Sequence, residues 1–172
     1  MSIATYFTRI GKRITDVAAI VMSAGAADAG KIAALSDDGR WHPSLMPTGV
    51  VPDVTVLVAS EALAIRAQVN IWDDAGVSKA RNADASNGRK SDGYVLAAVA
   101  LGEQASIYHE GAIEGFAGLV PGELYFLSDS VPGGISADPV VRAVGKIHQA
   151  IGTAANATKL VYEADPNPIY FA

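Results

Sequence analysis

QVNIWDDAGVSKAR, residues 68–81, is the stretch that decides the fold class. Gln68-Val69-Asn70-Ile71-Trp72 alternates polar and apolar side chains, Asp73-Asp74-Ala75-Gly76 is built of turn residues, and Val77-Ser78-Lys79-Ala80-Arg81 alternates again. A period of two sends successive side chains to opposite faces of a sheet, so this is strand, turn and strand. The same grammar runs outward in both directions. Val54 to Ala59 is a valine-rich run. Asn87-Gly88 is a strong turn dipeptide. Gly93 to Ala100 is almost continuously apolar and predicts a strand buried on both faces. Ala105 to Tyr108 follows the Gly102-Glu103 turn, and Leu124 to Ser128 follows Pro121-Gly122-Glu123. Pro132-Gly133-Gly134 breaks the chain again, and Ala143 to Ile151 and Lys159 to Glu163 supply the last strands. Short strands at this regular spacing predict a mainly β protein, a small antiparallel sandwich or barrel.

Composition bounds what such a domain does. The chain has 172 residues, 50% of them hydrophobic and 18% charged, which is enough for one core and too apolar for disorder throughout. Aromatic residues are only 7%, so alanine, glycine and the aliphatic side chains must do most of the packing. The net charge of −5 argues against nucleic acid as the main partner. Cysteine is absent, which excludes disulfides and thiolate metal sites and suits a reducing compartment. No apolar run approaches the roughly 20 residues of a membrane span. The basic and apolar start imitates a signal peptide, but Asp16 separates the two parts and Ile3, Tyr6 and Phe7 precede the charges.

Upstream of the strands lie two segments of different character. In residues 1–24, Ile3, Phe7, Ile10, Ile14, Val17 and Val21 recur at alternating intervals of four and three. That spacing predicts a short N-terminal helix, either lying on its own domain or self-associating as a coiled coil. The β-branched residues in it also allow a strand-like arm. Residues 25–53, GAADAGKIAALSDDGRWHPSLMPTGVVPD, hold Gly25, Gly30, Pro43, Pro47 and Pro52. His42 and Met46 each precede a proline and are pushed to extended conformation. The expectation is an extended arm, able to span on the order of 95 Å if fully stretched, that lies along a neighbouring subunit. Residues 54–164 form the β-domain. Residues 165–172, DPNPIYFA, read as a C-terminal arm whose Ile-Tyr-Phe end should dock on a surface.

The chemistry-bearing motifs are weak. Gly25-Ala26-Ala27-Asp28-Ala29-Gly30-Lys31 matches GxxxxGK, but Ile32 replaces the hydroxyl residue of a phosphate-binding loop and Asp28 puts a negative charge inside the cradle. His42, His109 and His148 form no HxH or HExxH pair, and Ser128-Asp129-Ser130 is not a nucleophile elbow. The acidic pairs Asp37-Asp38 and Asp73-Asp74 sit at turns without calcium-loop spacing. Asn156-Ala157-Thr158 is a sequon without a convincing leader. The expectation is a protein that is not an enzyme, with no cofactor and no metal. Trp41, Trp72, Tyr94 and Tyr108 are the residues from which a glycan-stacking platform would be built, although their apolar neighbours favour packing.

Residues 28–163 resemble a group of tailed-bacteriophage virion proteins. Asp28-Ala29-Gly30-Lys31-Ile32-Ala33-Ala34-Leu35, Asp38-Gly39-Arg40 and Pro43-Ser44-Leu45-Met46-Pro47 are similar to a segment of phage fibre and capsid-decoration proteins. Ala59 to Leu63, Val69 to Trp72, Lys79 to Asp84, Gly93 to Leu96 and Gly118 to Ser128 look like the β-domain of small head-decoration, or cement, proteins. Arg66 departs from the pattern, standing where a small turn residue is expected. The resemblance implies a homotrimer bound to the major capsid protein on the outer face of the head and assembled in the host cytoplasm, with no membrane partner. A tail fibre, neck or baseplate component is the alternative, and a glycan-binding β-domain is the second. The apolar residues expected at the oligomer or capsid interface are Ile10, Ile14, Val17, Ile32, Leu35, Trp41, Leu45, Met46, Tyr170 and Phe171.

Overall fold

The computed structural model describes residues 5–10, 13–35, 39, 41–46 and 53–172. The chain divides into two units, Met1–Val51 and Pro52–Ala172.

In the first unit the N-terminal helix is replaced by two antiparallel strands, β1 (Thr5–Ile10) and β2 (Arg13–Ala18). Their register pairs Thr5 with Ala18, Phe7 with Asp16 and Ile10 with Arg13. The three-four spacing is therefore not used as a helical seam. Threonine, tyrosine, phenylalanine, isoleucine and valine fill these strands, and such residues lose more side-chain freedom in a helix than on a pleated surface. Phe7 and Val17, which a helical seam would put on one stripe, lie on opposite faces of the hairpin, because Val17 pairs with Tyr6.

The described part of residues 25–53 is turned rather than stretched. Gly25 and Gly30 both have left-handed backbone, with φ of 79° and 80°, and bracket a 3-10 turn over Gly25–Asp28. The chain then returns beside the end of the hairpin. Ile20 N–H donates to the Ile32 carbonyl at 3.0 Å, and Ala34 N–H to the Ile20 carbonyl at 2.8 Å. A second 3-10 turn, Pro43–Leu45, begins at proline, whose fixed φ suits a first helical position. Ser44 Oγ accepts from the Ser23 N–H at 2.9 Å. Pro47 and Pro52 lie outside the described residues.

The second unit holds twelve strands: β3 (Val54–Ala59), β4 (Gln68–Asp74), β5 (Val77–Asn82), β6 (Gly93–Tyr94), β7 (Gln104–Tyr108), β8 (Gly111–Glu114), β9 (Leu124–Leu127), β10 (Ile135–Ser136), β11 (Ile147–His148), β12 (Ala150–Asn156), β13 (Lys159–Tyr162) and β14 (Ile169–Tyr170). The fold is mainly β, as the alternation predicts. β4 and β5 form the hairpin expected from residues 68–81, but the strands run further and the turn is tighter. Ala75 and Gly76, at φ of 54° and 88°, form a two-residue loop in which both residues are left-handed, matching the twist of the flanking strands.

β3, β5, β4, β6 and β7 close into a barrel in that order. All pairs are antiparallel except β3 with β5. Its core is Ala59, Leu63, Ala67, Val69, Ala80, Val95, Ala105 and Ile107. Half of these are alanines, because five strands enclose a narrow interior that larger side chains would overfill. The other strands build a five-stranded antiparallel sheet, β10-β9-β12-β13-β8, and the pair β11-β14. Here the core side chains are larger and include Ile113, Leu127, Ile147, Ile151 and Leu160. Burying each of these removes about 1.5–3 kcal/mol worth of apolar surface from water.

An aromatic contact joins barrel and sheet. Tyr94, on barrel strand β6, stacks on Tyr108 with ring centroids 5.7 Å apart and tilts against Tyr162 of the sheet at 5.0 Å. Gly93 must be glycine, since a Cβ there would lie 2.6 Å from Ile107 Cγ2 and 2.7 Å from the Tyr108 carbonyl oxygen. The C-terminal tail belongs to this unit as β14, with Ile147 opposite Tyr170 and His148 opposite Ile169. Proline-stiffened residues 165–168 thus lead into a strand, and Phe171 packs against the larger core.

The apolar stretch Gly93 to Ala100 is not one buried strand. Strand β6 covers only Gly93 and Tyr94 of it; Val95 is buried, while Leu96, Ala97, Ala98 and Ala100 are exposed. The strand leaves its neighbour β7 after one bridge, Tyr94 opposite Tyr108, and the Leu63–Val99 bridge takes the chain elsewhere.

Candidate assembly surface and polar cavity

None of the described residues of the first unit is buried. Phe7 is 79% exposed and Ile14 77%. Of the residues expected at an interface, Ile14, Ile32, Leu35, Trp41 and Met46 are exposed, and Val17 and Leu45 are half-buried. Ile10 ends β1, and its side chain lies outside the described residues. Tyr170 is exposed on β14, and Phe171 is half-buried against the core of the second unit. The structure thus places Ile14, Val17, Ile32, Leu35, Trp41, Leu45 and Met46 in one unit and Tyr170 and Phe171 in the other. A two-stranded hairpin is marginal in water by itself, so this apolar surface among the described residues is unusual for a unit standing alone.

The GxxxxGK segment is occupied by its own carboxylate. Asp28 Oδ1 accepts from Lys31 Nζ at 2.7 Å, and Oδ2 accepts from the Ala24 N–H at 2.5 Å. The lysine hydrogen bond, then that of the backbone, holds the Asp28 carboxyl below its ordinary range. The lysine and a loop N–H that would greet a phosphate are already answered by an anion of the chain.

The second unit contains a polar cavity of about 260 Å³, bordered by Lys90, Ser91, Asp92, His109, Tyr162 and Glu163 among others. A buried network stands behind it. Ser91 N–H donates to Gln149 Oε1 at 2.7 Å, and Gln149 Nε2 donates to the carbonyls of Ser91 and Asp165, each at 2.9 Å. Ser91 Oγ meets Gln68 Oε1, the Gly93 carbonyl and the Tyr162 hydroxyl at 3.1–3.2 Å. Gln149 therefore acts as a side-chain clamp, reproducing a strand's donor and acceptor pair between β11–β12 and the loop before β6. Gln68 Nε2 is buried without a hydrogen-bond partner, a local cost of about 1–3 kcal/mol. Burial pushes the Tyr162 hydroxyl up to about 12, despite the Ser91 contact.

His109 bridges two segments. Nδ1 donates to the Asp92 carbonyl at 2.7 Å, and Nε2 lies 2.8 Å from the Thr55 hydroxyl oxygen. Asp92 is committed as well: Oδ2 accepts from Asn70 Nδ2 and the Ile71 N–H, while Oδ1 faces Lys90 Nζ at 2.9 Å. These groups hold β3, β4 and β7 to the loop before β6. His42 bonds Ser44 within an exposed turn, and His148 lies 4.8 Å from the Phe126 ring. The structure brings no two of the three histidines together in one described site. Among the described residues no group of three or more His, Cys, Asp or Glu side chains could hold a metal ion, and no helix is long and apolar enough to cross a membrane.

The four aromatic residues considered for glycan stacking have different environments. Tyr94 is 2% exposed and lies in the core. Trp72 carries the Arg81 guanidinium 4.6 Å from its ring centre and donates through Nε1 to Ser60 Oγ at 3.0 Å. Trp41 belongs to the first unit.

Sequence reasoning missed the Gln68–Ser91–Gln149 network. Its signal was present: glutamines within otherwise apolar strand segments, Gln149 between Ile147 and Ile151 and Gln68 ahead of Val69. Position 66 carried a signal too. Arg66 has φ of 64°, a left-handed turn in which a small residue would be more comfortable, and its guanidinium lies 5.6 Å from the Phe116 ring centre.

No family model, no curated protein and no solved structure matches this chain.

Proposed function

We propose that this chain is a structural protein of a tailed-bacteriophage virion, a cement protein that binds the outer face of the assembled head as a homotrimer. The likeness of residues 28–163 to head-decoration proteins supports the class. The observation that carries the assembly role is the first unit, an apolar hairpin and turn in which no described residue is buried. Such a surface gains most of its stabilisation from a partner, at roughly 25 cal/mol for each Å² of apolar area removed from water. Ile14, Ile32, Leu35, Trp41 and Met46 are among its exposed apolar groups, with Ile10, Val17 and Leu45 beside them in the sequence and Tyr170 and Phe171 at the other end of the chain.

The mechanism is mass action and requires no chemistry. A protein that binds the assembled capsid lattice and not its separated subunits stabilises the lattice by RT ln(1 + [L]/Kd) per site. Polar residues such as Gln149, Ser91 and His109 then serve the rigidity of the β-domain, and the chain is not an enzyme.

Two measurements test this. Sedimentation of the purified protein should give three times the 17.7 kDa chain mass. Heads separated from tails should retain the protein. Recovery with the tails alone would replace the cement role by that of a fibre, neck or baseplate component, and a stable monomer that binds neither fraction would remove the assembly role altogether.

A further inference from the structure

Strand β7 has an open edge inside the barrel. His109 N–H donates to the Asp53 carbonyl, and Ala59 N–H to the Glu103 carbonyl. Antiparallel alternation therefore turns the main-chain groups of Ala105 and Ile107 toward β3 and those of Gln104, Ser106 and Tyr108 the other way. On that side only Tyr108 has a strand partner, Tyr94. Among the described residues no main-chain hydrogen bond crosses from Gln104 or Ser106 to residues 95–100. Between them lies a groove of about 360 Å³, walled by Leu96, Ala97, Ala98, Gln104 and Ser106, with Glu103 at one end. The exposed alanines leave room for a backbone to approach. Beside the groove, on the outer face of β3, Val56 and Val58 are 52% and 40% exposed and lie opposite Ser106 and Gln104.

We infer that this groove receives strand β1 of a second copy of the chain, which pairs with the free edge of β7. Unpaired main-chain groups call for a backbone partner, and strand addition to an open edge satisfies them. The chain carries a strand that lacks burial: β1 belongs to the hairpin without a core, and Phe7 would cover Val56. Charge selects it as well. Residues 1–51 carry five basic and four acidic side chains and residues 52–172 carry eight and fourteen, a net +1 against −6. Within the hairpin, β1 has Arg9 and no acidic residue, whereas β2 would bring Asp16 toward Glu103. A contact from the hairpin of one copy to the groove of the next is heterologous, the type that makes a ring when the rotation between copies closes, as a trimer requires.

The pairing rests on the assembly reading above, and the test separates the two. The chain has no cysteine, so introduced thiols are unique. Full-length chains carrying Ser106→Cys are co-expressed with differently tagged chains carrying Tyr6→Cys, Phe7→Cys, Thr8→Cys or Arg9→Cys, and then oxidised. A disulfide-linked pair bearing both tags is expected, strongest at alternate β1 positions because successive side chains face opposite ways. Thr15→Cys on β2 should link weakly. Oligomers without that pattern would overturn the groove assignment and leave the assembly role standing; a monomer in sedimentation would overturn both. A bond within one chain of the Phe7→Cys, Ser106→Cys double variant would overturn the second copy as donor. Independently, Ser106→Pro removes an N–H that points away from β3, so the ladder to β3 is kept. Self-association should weaken roughly tenfold or more, and unchanged association in a folded variant would overturn the inference.

Discussion

Both units of this protein are built from short strands, yet only one of them has an interior. The second unit buries two sets of side chains, alanine-rich in the barrel and isoleucine- and leucine-rich in the sheet. The first unit pairs β1 with β2 over six residue pairs and buries none of its described side chains. Backbone pairing is common to the two, so hydrogen bonding is not what separates them. The difference is layering. A sheet becomes stable by covering one face, and a lone hairpin has nothing to cover it. The first unit is thus left without a core among its described residues, and this is why assembly is the function proposed for it.

Removing residues 1–51 should have the largest effect. The remaining chain should keep its cooperative melting transition, with sedimentation falling to a single copy; loss of the transition would mean that the second unit does not hold its core alone. Next in size is Gly152→Ala. A Cβ at this position lies within 2 Å of the Val161 carbonyl oxygen, so β12 and β13 must separate. The substitution should lower stability by about 3 kcal/mol or more, measured by urea denaturation. Gln149→Ala strips Ser91 and Asp165 of buried partners and should cost about 1–3 kcal/mol in the same measurement.

Tyrosine ionisation gives a pH test of the same core. Burial, the largest cause, raises the Tyr162 hydroxyl from an ordinary 10.0 to about 12. The folded state then keeps its proton where the unfolded state loses it. The associated stability is complete below pH 10 and is lost as the pH rises from there through 12. Absorbance titration should show a late-ionising tyrosine that disappears in Tyr162→Phe, and ionisation of every tyrosine near pH 10 in the folded protein would contradict the burial. The smallest effect belongs to the first unit. Ile14→Ser removes an exposed side chain, so the melting of the isolated chain should move by no more than about 0.5 kcal/mol, while self-association weakens.

Much of the β-domain is readable from residues alone, because alternation with glycine-marked turns has one cheap solution. Residues 68–81 show it: Val69, Ile71 and Ala80 share the face that enters the barrel core, and Trp72, Lys79 and Arg81 lie on the other. The N-terminal hairpin is a different case. Ile3 to Val21 satisfies helical spacing and strand composition together, and only pairing with a second strand chooses between them. Gly93 to Ala100 misleads for the opposite reason. Its apolar run signals a buried strand, yet the barrel needs only Gly93 and Tyr94 from it, and the alanines after them are left to wall a groove.

The residues alone give the mainly β class, a turn within Asp73-Asp74-Ala75-Gly76 and the inability of Asp28 and Ile32 to serve a phosphate loop. These depend on period, backbone freedom and charge, which are local properties. Tertiary structure decided which strands close the barrel, that Tyr94 is core rather than platform, that Gln149 clamps Ser91, and that β7 keeps a free edge while β1 and β2 keep bare faces. Those depend on which distant segments meet. Closing long loops costs entropy that only the summed burial of many side chains repays, and no short window of sequence contains that sum.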